Sequence, residues 1–197
     1  MDDVEDHEKG RTPDDGVDDP QAEAVDERTL AMAVGDRLRE REETVAVAES
    51  CTGGLVGARI TTVPGASDYF EEGVVTYAYG AKERRLGVNR EALDAHGAVS
   101  EPVARQMARG VRDTADATWG VSTTGVAGPT GGTDDAPVGT VYVGVAYAAP
   151  WGSEASFASV ERYAFDGDRA AVRDATVTAA LADLVDAIDG EAERTDS

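Results

Sequence analysis

A single cysteine, Cys51, stands in a chain of 197 residues, so an intrachain disulfide is excluded and a reducing cytoplasm is the simplest compartment to expect. Histidine is almost as rare. His7, His96 and one thiol cannot build a zinc cage, and the many carboxylates are explained by solvation, so no metal is expected beyond an open hard-cation possibility. Positive charge is in short supply too: the formal net charge is −21, and no basic stripe offers a surface for nucleic acid. No apolar run reaches the length of a membrane span, and the N-terminus lacks the basic and apolar regions of a signal peptide, so no membrane partner is expected. Three familiar motifs are missing. Ala48 stands where a Gly-x-Ser-x-Gly elbow around Ser50 needs glycine, no Gly-Lys-Ser/Thr completes a Walker loop, and the spacing of a dinucleotide fingerprint fails.

Lysine is the most telling scarcity. Sixteen arginines supply almost all the positive charge, and the only lysines are Lys9 and Lys82. A guanidinium keeps its proton in a protein whereas an amine can lose one, so a lysine retained in an arginine-rich body suits a general base. The alternative is a leftover surface charge.

The acids are unevenly spread. Residues 1–27 hold twelve of them against Lys9 and Arg11, a local net charge of −10, with Pro13, Gly16 and Pro20 interspersed. Such a segment buries too little apolar surface to offset its ordering entropy, so 1–27 reads as a disordered acidic tail, 28–190 as one folded domain and 191–197 as a flexible end. The acid-rich, lysine-poor composition resembles that of proteins working in concentrated salt, where screening within about 3 Å near 1 M permits dense like charge.

Periodicity gives the order of elements. Leu30, Val34 and Leu38 predict a helix over 28–41, followed by a strand at 45–48, a helix over 53–62 ended by Pro64-Gly65, and a strand at 73–77 that delivers the loop around Lys82. Ser100-Glu101-Pro102 predicts a capped helix continuing through Val103, Met107 and Val111, with Ser100 as the cap. Strands follow at 119–123, 140–147 and 156–165, the last two a hairpin through Pro150-Trp151-Gly152. A final helix over 169–188 carries Val172, Thr176, Ala180, Leu184 and Ile188 on one stripe. The pattern predicts an α/β domain with a mixed, mainly parallel sheet covered by helices on both faces, with ligands at the carboxyl ends of strands.

Three loops then carry the chemistry. In Glu49-Ser50-Cys51-Thr52-Gly53-Gly54, the amides of Cys51, Thr52, Gly53 and Gly54 can face an anion or a developing oxyanion, although Ser50 also reads as a plain helix cap. Cys51 is the competing nucleophile, with no histidine placed to activate it; His96, before Gly97, reads as a solvated turn residue. The run Gly125-Val126-Ala127-Gly128-Pro129-Thr130-Gly131-Gly132-Thr133 can wrap a phosphate with amides and the Thr133 hydroxyl, or serve as a flexible linker.

Taken together, the order and spacing of these segments resemble the CinA C-terminal domain family, the nicotinamide-nucleotide amidohydrolases. The resemblance spans about Leu30 to Leu184. It rests on Ala48-Glu49-Ser50-Cys51-Thr52-Gly53-Gly54, Pro64-Gly65-Ala66-Ser67, Val75-Thr76-Tyr77 with Ala81-Lys82, Leu86-Gly87-Val88, Gly97-Ala98-Val99-Ser100-Glu101, the run from Thr124 to Gly132, Pro137-Val138-Gly139-Thr140-Val141-Tyr142, and Phe165-Asp166-Gly167-Asp168-Arg169. It implies a three-layer α/β/α fold with a five-stranded mixed sheet, and hydrolysis of the carboxamide of nicotinamide mononucleotide to nicotinic acid mononucleotide and ammonia. Ser50 would be the nucleophile and Lys82 its base, with no cofactor. Tyr77, Gly125, Gly128, Gly131, Gly132, Thr133 and Arg169 complete the expected substrate-binding set, the glycine loop and Arg169 holding the phosphate; a homo-oligomer is also implied. The chain departs from the family at Ala78-Tyr79, where a polar Ser-Asn pair is common, which keeps a catalytically silent nucleotide-binding module as the alternative. The pyrophosphatase domain of longer members is not matched, so that activity is not expected.

Overall fold

The computed structural model describes residues 26–195, so the acidic tail up to residue 25 lies outside the described residues. Asp26 and Glu27, counted with the tail from sequence, belong to the fold. The Asp26 carboxylate accepts from the amides of Arg28 at 2.6 Å and Thr29 at 3.0 Å, capping helix α1 (Glu27–Arg41), whose buried stripe is Ala31, Val34, Gly35 and Leu38.

Five strands follow: β1 (Val45–Glu49), β2 (Phe70–Val75), β3 (Trp119–Gly125), β4 (Thr140–Tyr147) and β5 (Phe157–Ala164), in the order β2-β1-β3-β4-β5. β1 pairs in parallel with β2 and β3, whereas β3-β4 and β4-β5 are antiparallel. The sheet is therefore mixed, with parallel and antiparallel pairings in equal number rather than parallel in the majority. Every residue of β1 is buried, as a central strand covered on both faces requires, and this explains its small-apolar run from Val45 to Ala48, which only the buried Glu49 at the end departs from.

Helices cover both faces. On one, α1, α2 (Leu55–Ile60) and the long α6 (Arg169–Thr195) enclose a core that includes Val47, Trp119, Val143, Leu181 and Leu184. On the other, α3 (Tyr79–Leu86), α4 (Arg90–His96) and α5 (Glu101–Thr114) pack Leu86, Leu93, Val103 and Met107 against Ala46 and Ala48. Two glycines set the depth of that second packing: a Cβ at Gly120 would collide with the Ala108 carbonyl of α5, and one at Gly110 with the Leu86 carbonyl of α3. No helix among the described residues is long and apolar enough to cross a membrane.

Several expectations change. α2 starts only at Leu55, because Gly54 adopts φ 100° and breaks the helix expected from residue 53. Lys82 sits inside α3, not in a loop. The helix was hidden because its inward residues are Lys82 and Leu86, one of them charged, and no apolar period survives. α4 was also unforeseen; Asn89 caps it by accepting from Glu91 N at 2.8 Å, and His96 is its exposed last residue rather than part of a turn. Ser100 does precede α5, but its hydroxyl donates backward to Gly97 O at 2.9 Å and caps nothing. α6 continues past residue 190 to Thr195.

Candidate active site

The chain leaves β1 toward β2 on one side and later returns to β3 on the other, so the carboxyl end of β1 lies where strand order reverses, the place where parallel sheets form crevices. Ser50 is the first residue beyond that strand. Its amide donates to Thr123 O at 3.0 Å, which extends the β1-β3 ladder by one rung and fixes the backbone that carries the hydroxyl. Next to it, Thr76 N donates to Glu49 O at 2.8 Å at the end of β2. Two parallel strand ends thus place Ser50 and Thr76 side by side.

α3 brings the third component. Lys82 is fully buried, and its amine donates to Ser50 Oγ at 3.0 Å and to Thr76 O at 2.5 Å. Among the described residues, no carboxylate stands among its hydrogen-bond acceptors. Burial disfavours the ammonium and lowers the pKa from 10.5 to about 8, with the nearby Cys51 a smaller opposing influence. A useful fraction of the amine is neutral near physiological pH, next to the hydroxyl of Ser50, a residue only 9% exposed. The pair has the geometry of a base and its nucleophile.

Cys51 is unsuited to the role of nucleophile. Its thiol is buried, and loss of solvation pushes its pKa up from 9.0 to about 11, so it stays protonated at neutral pH. Thr52 is fully buried; its hydroxyl pairs with that of Thr123 at 2.7 Å, and its carbonyl accepts from Arg173 at 2.6 Å.

Gly54 needs correction. Its amide donates at 2.8 Å to the Glu49 carboxylate, which also receives Val56 N at 3.2 Å and Gly57 N at 2.9 Å. The α2 N-terminus is filled by an internal anion, so Gly54 cannot polarise a substrate oxygen. Cys51, Thr52 and Gly53 remain, none of whose amides donates within the backbone hydrogen bonds of the described residues.

The expected phosphate loop is divided. Gly128 O accepts from Arg169 at 2.8 Å, and the other Arg169 nitrogen donates to the phenol of the exposed Tyr77 at 3.3 Å. Arg169 and Arg173, one turn apart on α6, line a cleft of about 650 Å³ with Pro129 and Val138. Gly131 and Thr133 instead line a second cavity of about 500 Å³ with Tyr79, His96 and Tyr142. Thr133 closes its own turn, exchanging hydrogen bonds with Ala136 through its amide and hydroxyl. Gly132 packs close to Val138, and Gly125 lies at the end of β3 facing Val141. Arg173, Glu49 and Thr76 were missed as site residues. Thr76 acts through its carbonyl, which side-chain chemistry does not reveal. Among the described residues, no group of three or more His, Cys, Asp or Glu could hold a metal ion.

Residues 27–188 match the CinA C-terminal domain. The chain belongs to that family. A CinA-like protein of Chlorobaculum tepidum is 55% identical over 146 residues, covering 74% of this chain and 34% of the relative. One from Salinibacter ruber is 52% identical over 153 residues, covering 78% and 35%. The chain thus spans about a third of the length of these CinA-like relatives. Among solved structures, the competence/damage-inducible protein CihA of Agrobacterium tumefaciens superposes with a TM-score of 0.77 at 35% identity, covering 84% of this chain and 97% of that one. The competence-damaged protein superfamily member from Klebsiella pneumoniae 700603 gives 0.76 at 32%, covering 84% and 99%. The five-stranded α/β fold is that of the CinA structures.

Proposed function

We propose that this CinA-family domain hydrolyses the carboxamide of nicotinamide mononucleotide, releasing nicotinic acid mononucleotide and ammonia, with Ser50 as nucleophile and Lys82 as base. The observation that carries this reading is the 3.0 Å contact between a buried, uncharged-capable amine and the hydroxyl just beyond the carboxyl end of β1. Neutral Lys82 takes the Ser50 proton as Oγ adds to the carboxamide carbon. The oxygen that becomes negative is stabilised by the amides of Cys51, Thr52 and Gly53, which donate to no backbone carbonyl. The C–N bond then breaks as the Lys82 ammonium returns its proton to the departing nitrogen, giving ammonia. Water attacks the acyl-enzyme, passes a proton through Lys82 to Ser50, and resets the pair.

The nucleotide phosphate is assigned to the cleft beside Arg169 and Arg173, because both guanidinium groups donate there to neutral oxygens and keep donors for an anion. This reading places the protein in the cytoplasm, needs no cofactor, and includes self-association, which light scattering on the purified protein measures.

The test is direct. Purified protein in high salt should release ammonia from nicotinamide mononucleotide, Ser50→Ala and Lys82→Arg should each abolish release, and Cys51→Ala should retain it. Loss of turnover in Cys51→Ala alone would transfer the chemistry to the thiol. Tight binding of the nucleotide without ammonia from the native chain would make the domain a binding module.

A further inference from the structure

The chain spends a buried carboxylate immediately before the nucleophile, and the dyad chemistry does not use it. Glu49 is the last residue of β1 and only 2% exposed. A carboxylate this deeply enclosed is costly unless its oxygens are fully hydrogen-bonded. Here the partners are backbone amides: Oε2 receives Gly54 N at 2.8 Å and Val56 N at 3.2 Å, and Oε1 receives Gly57 N at 2.9 Å. These are the donors a helix N-terminus leaves unsatisfied. A side chain reaching forward from the strand therefore closes the loop between Glu49 and α2 into a ring, with Ser50 to Gly53 spanning it.

Two consequences follow from this ring. Gly53 and Gly54 adopt φ of 64° and 100°, a backbone path that the α2 end could relax if it were not tethered. The same tether consumes the amides of Gly54, Val56 and Gly57 while those of Cys51, Thr52 and Gly53 stay uncommitted in the backbone network. Glu49 thus decides which amides of this turn are taken up inside the protein.

We infer that Glu49 is a positioning residue for attack by Ser50: its carboxylate holds the Ser50–Gly53 loop so that the uncommitted amides receive the oxygen that becomes negative. The inference rests on the Ser50–Lys82 reading above and deepens it. Glutamine at position 49 has nearly the same shape but replaces one acceptor by an NH2 donor, which would meet an amide N–H head-on and free that part of the loop.

The experiment uses the full chain and a probe independent of the nucleotide, an alkyl fluorophosphonate. Ser50 Oγ forms a bond to phosphorus, fluoride leaves with the P–F electrons, the Ser50 proton passes to Lys82, and the phosphoryl oxygen occupies the amide site. With labelling measured well below the unfolding temperature of each variant, Glu49→Gln should label at least about tenfold more slowly than the native chain, as loss of oxyanion donors does. The midpoint of its pH profile should stay near 8, since Lys82 is untouched. With the nucleotide, kcat should fall by a similar factor while KM changes less than about twofold. Labelling at the native rate would overturn the inference, and so would a slowed rate accompanied by a displaced pH midpoint, which would put Glu49 in control of the dyad. If Glu49→Gln does not fold, Glu49→Asp, which keeps the charge but withdraws it by one methylene, is judged by the same criteria. A native chain that labels at Ser50 yet frees no ammonia from nicotinamide mononucleotide defeats the substrate assignment alone; one that does not label at Ser50 defeats this inference.

Discussion

Lys82 ties catalysis to stability. The neutral amine is the active form and its pKa is lowered to about 8 by burial, so turnover should rise with pH along a single ionisation near that value; a flat profile from pH 6 to 9 would deny lysine the role of base. Folding is affected with a definite sign. Between about 8 and 10.5 the unfolded chain holds a proton that the folded chain has released, so stability rises with pH across that window, and below about 8 the folded state bears a buried charge. Lys82→Met, of similar length and free of charge, should be inactive yet at least as stable at pH 7, and its unfolding midpoint should lose the native increase between about 8 and 10.5. The importance of this residue was legible in its scarcity, and Ser50 in its position between a strand and two glycines. The Thr76 carbonyl and the tether from Glu49 were not, because both act through backbone groups whose partners are decided only by how β1, β2 and α2 meet.

At the scale of elements, the base depends on a helix seated against a glycine. α3 leans its Leu86 carbonyl on Gly110 of α5, where a methyl group has no room. Gly110→Ala should cost about 1–3 kcal/mol in denaturant unfolding and should also reduce turnover, because the helix that must move carries Lys82. A variant as stable as the native chain would show that the packing is looser than the geometry implies. On the opposite face, burial and then the nearby Glu161 and Asp186 raise the Asp183 carboxyl to about 6, although the Tyr163 hydroxyl donates to it at 2.6 Å. A carboxyl raised on folding contributes stability that is present in acid and lost as pH climbs through its folded value, here between about 3.8 and 6. Asp183→Asn should therefore raise the thermal midpoint at pH 7.5 and flatten that decline. β1, β3, β4 and α6 were readable because their inward positions are apolar, whereas the strand expected at 73–77 runs over Phe70–Val75, an edge strand with no fully buried residue to mark its start. α3 and α4 escaped because they are short and one turns a charged residue inward.

For the molecule as a whole, charge density sets the working conditions. With a formal net charge of −21, like-charge repulsion opposes the compact state, and screening relieves it. The thermal midpoint should rise between dilute buffer and molar salt; an unchanged midpoint would show that the acids are accommodated without help from the solvent. Against this anionic background the reactive lysine is conspicuous for having, among the described residues, no carboxylate as a hydrogen-bond partner, only a hydroxyl and a carbonyl. Each proton it gathers is thus held without a counter-charge, and with its pKa lowered from 10.5 to about 8 the amine gives that proton up more readily than a solvated lysine does. Delivery to the departing nitrogen is thereby eased, since the same missing partner that leaves part of the amine neutral and free to act as base makes its ammonium a stronger acid than that of an exposed lysine.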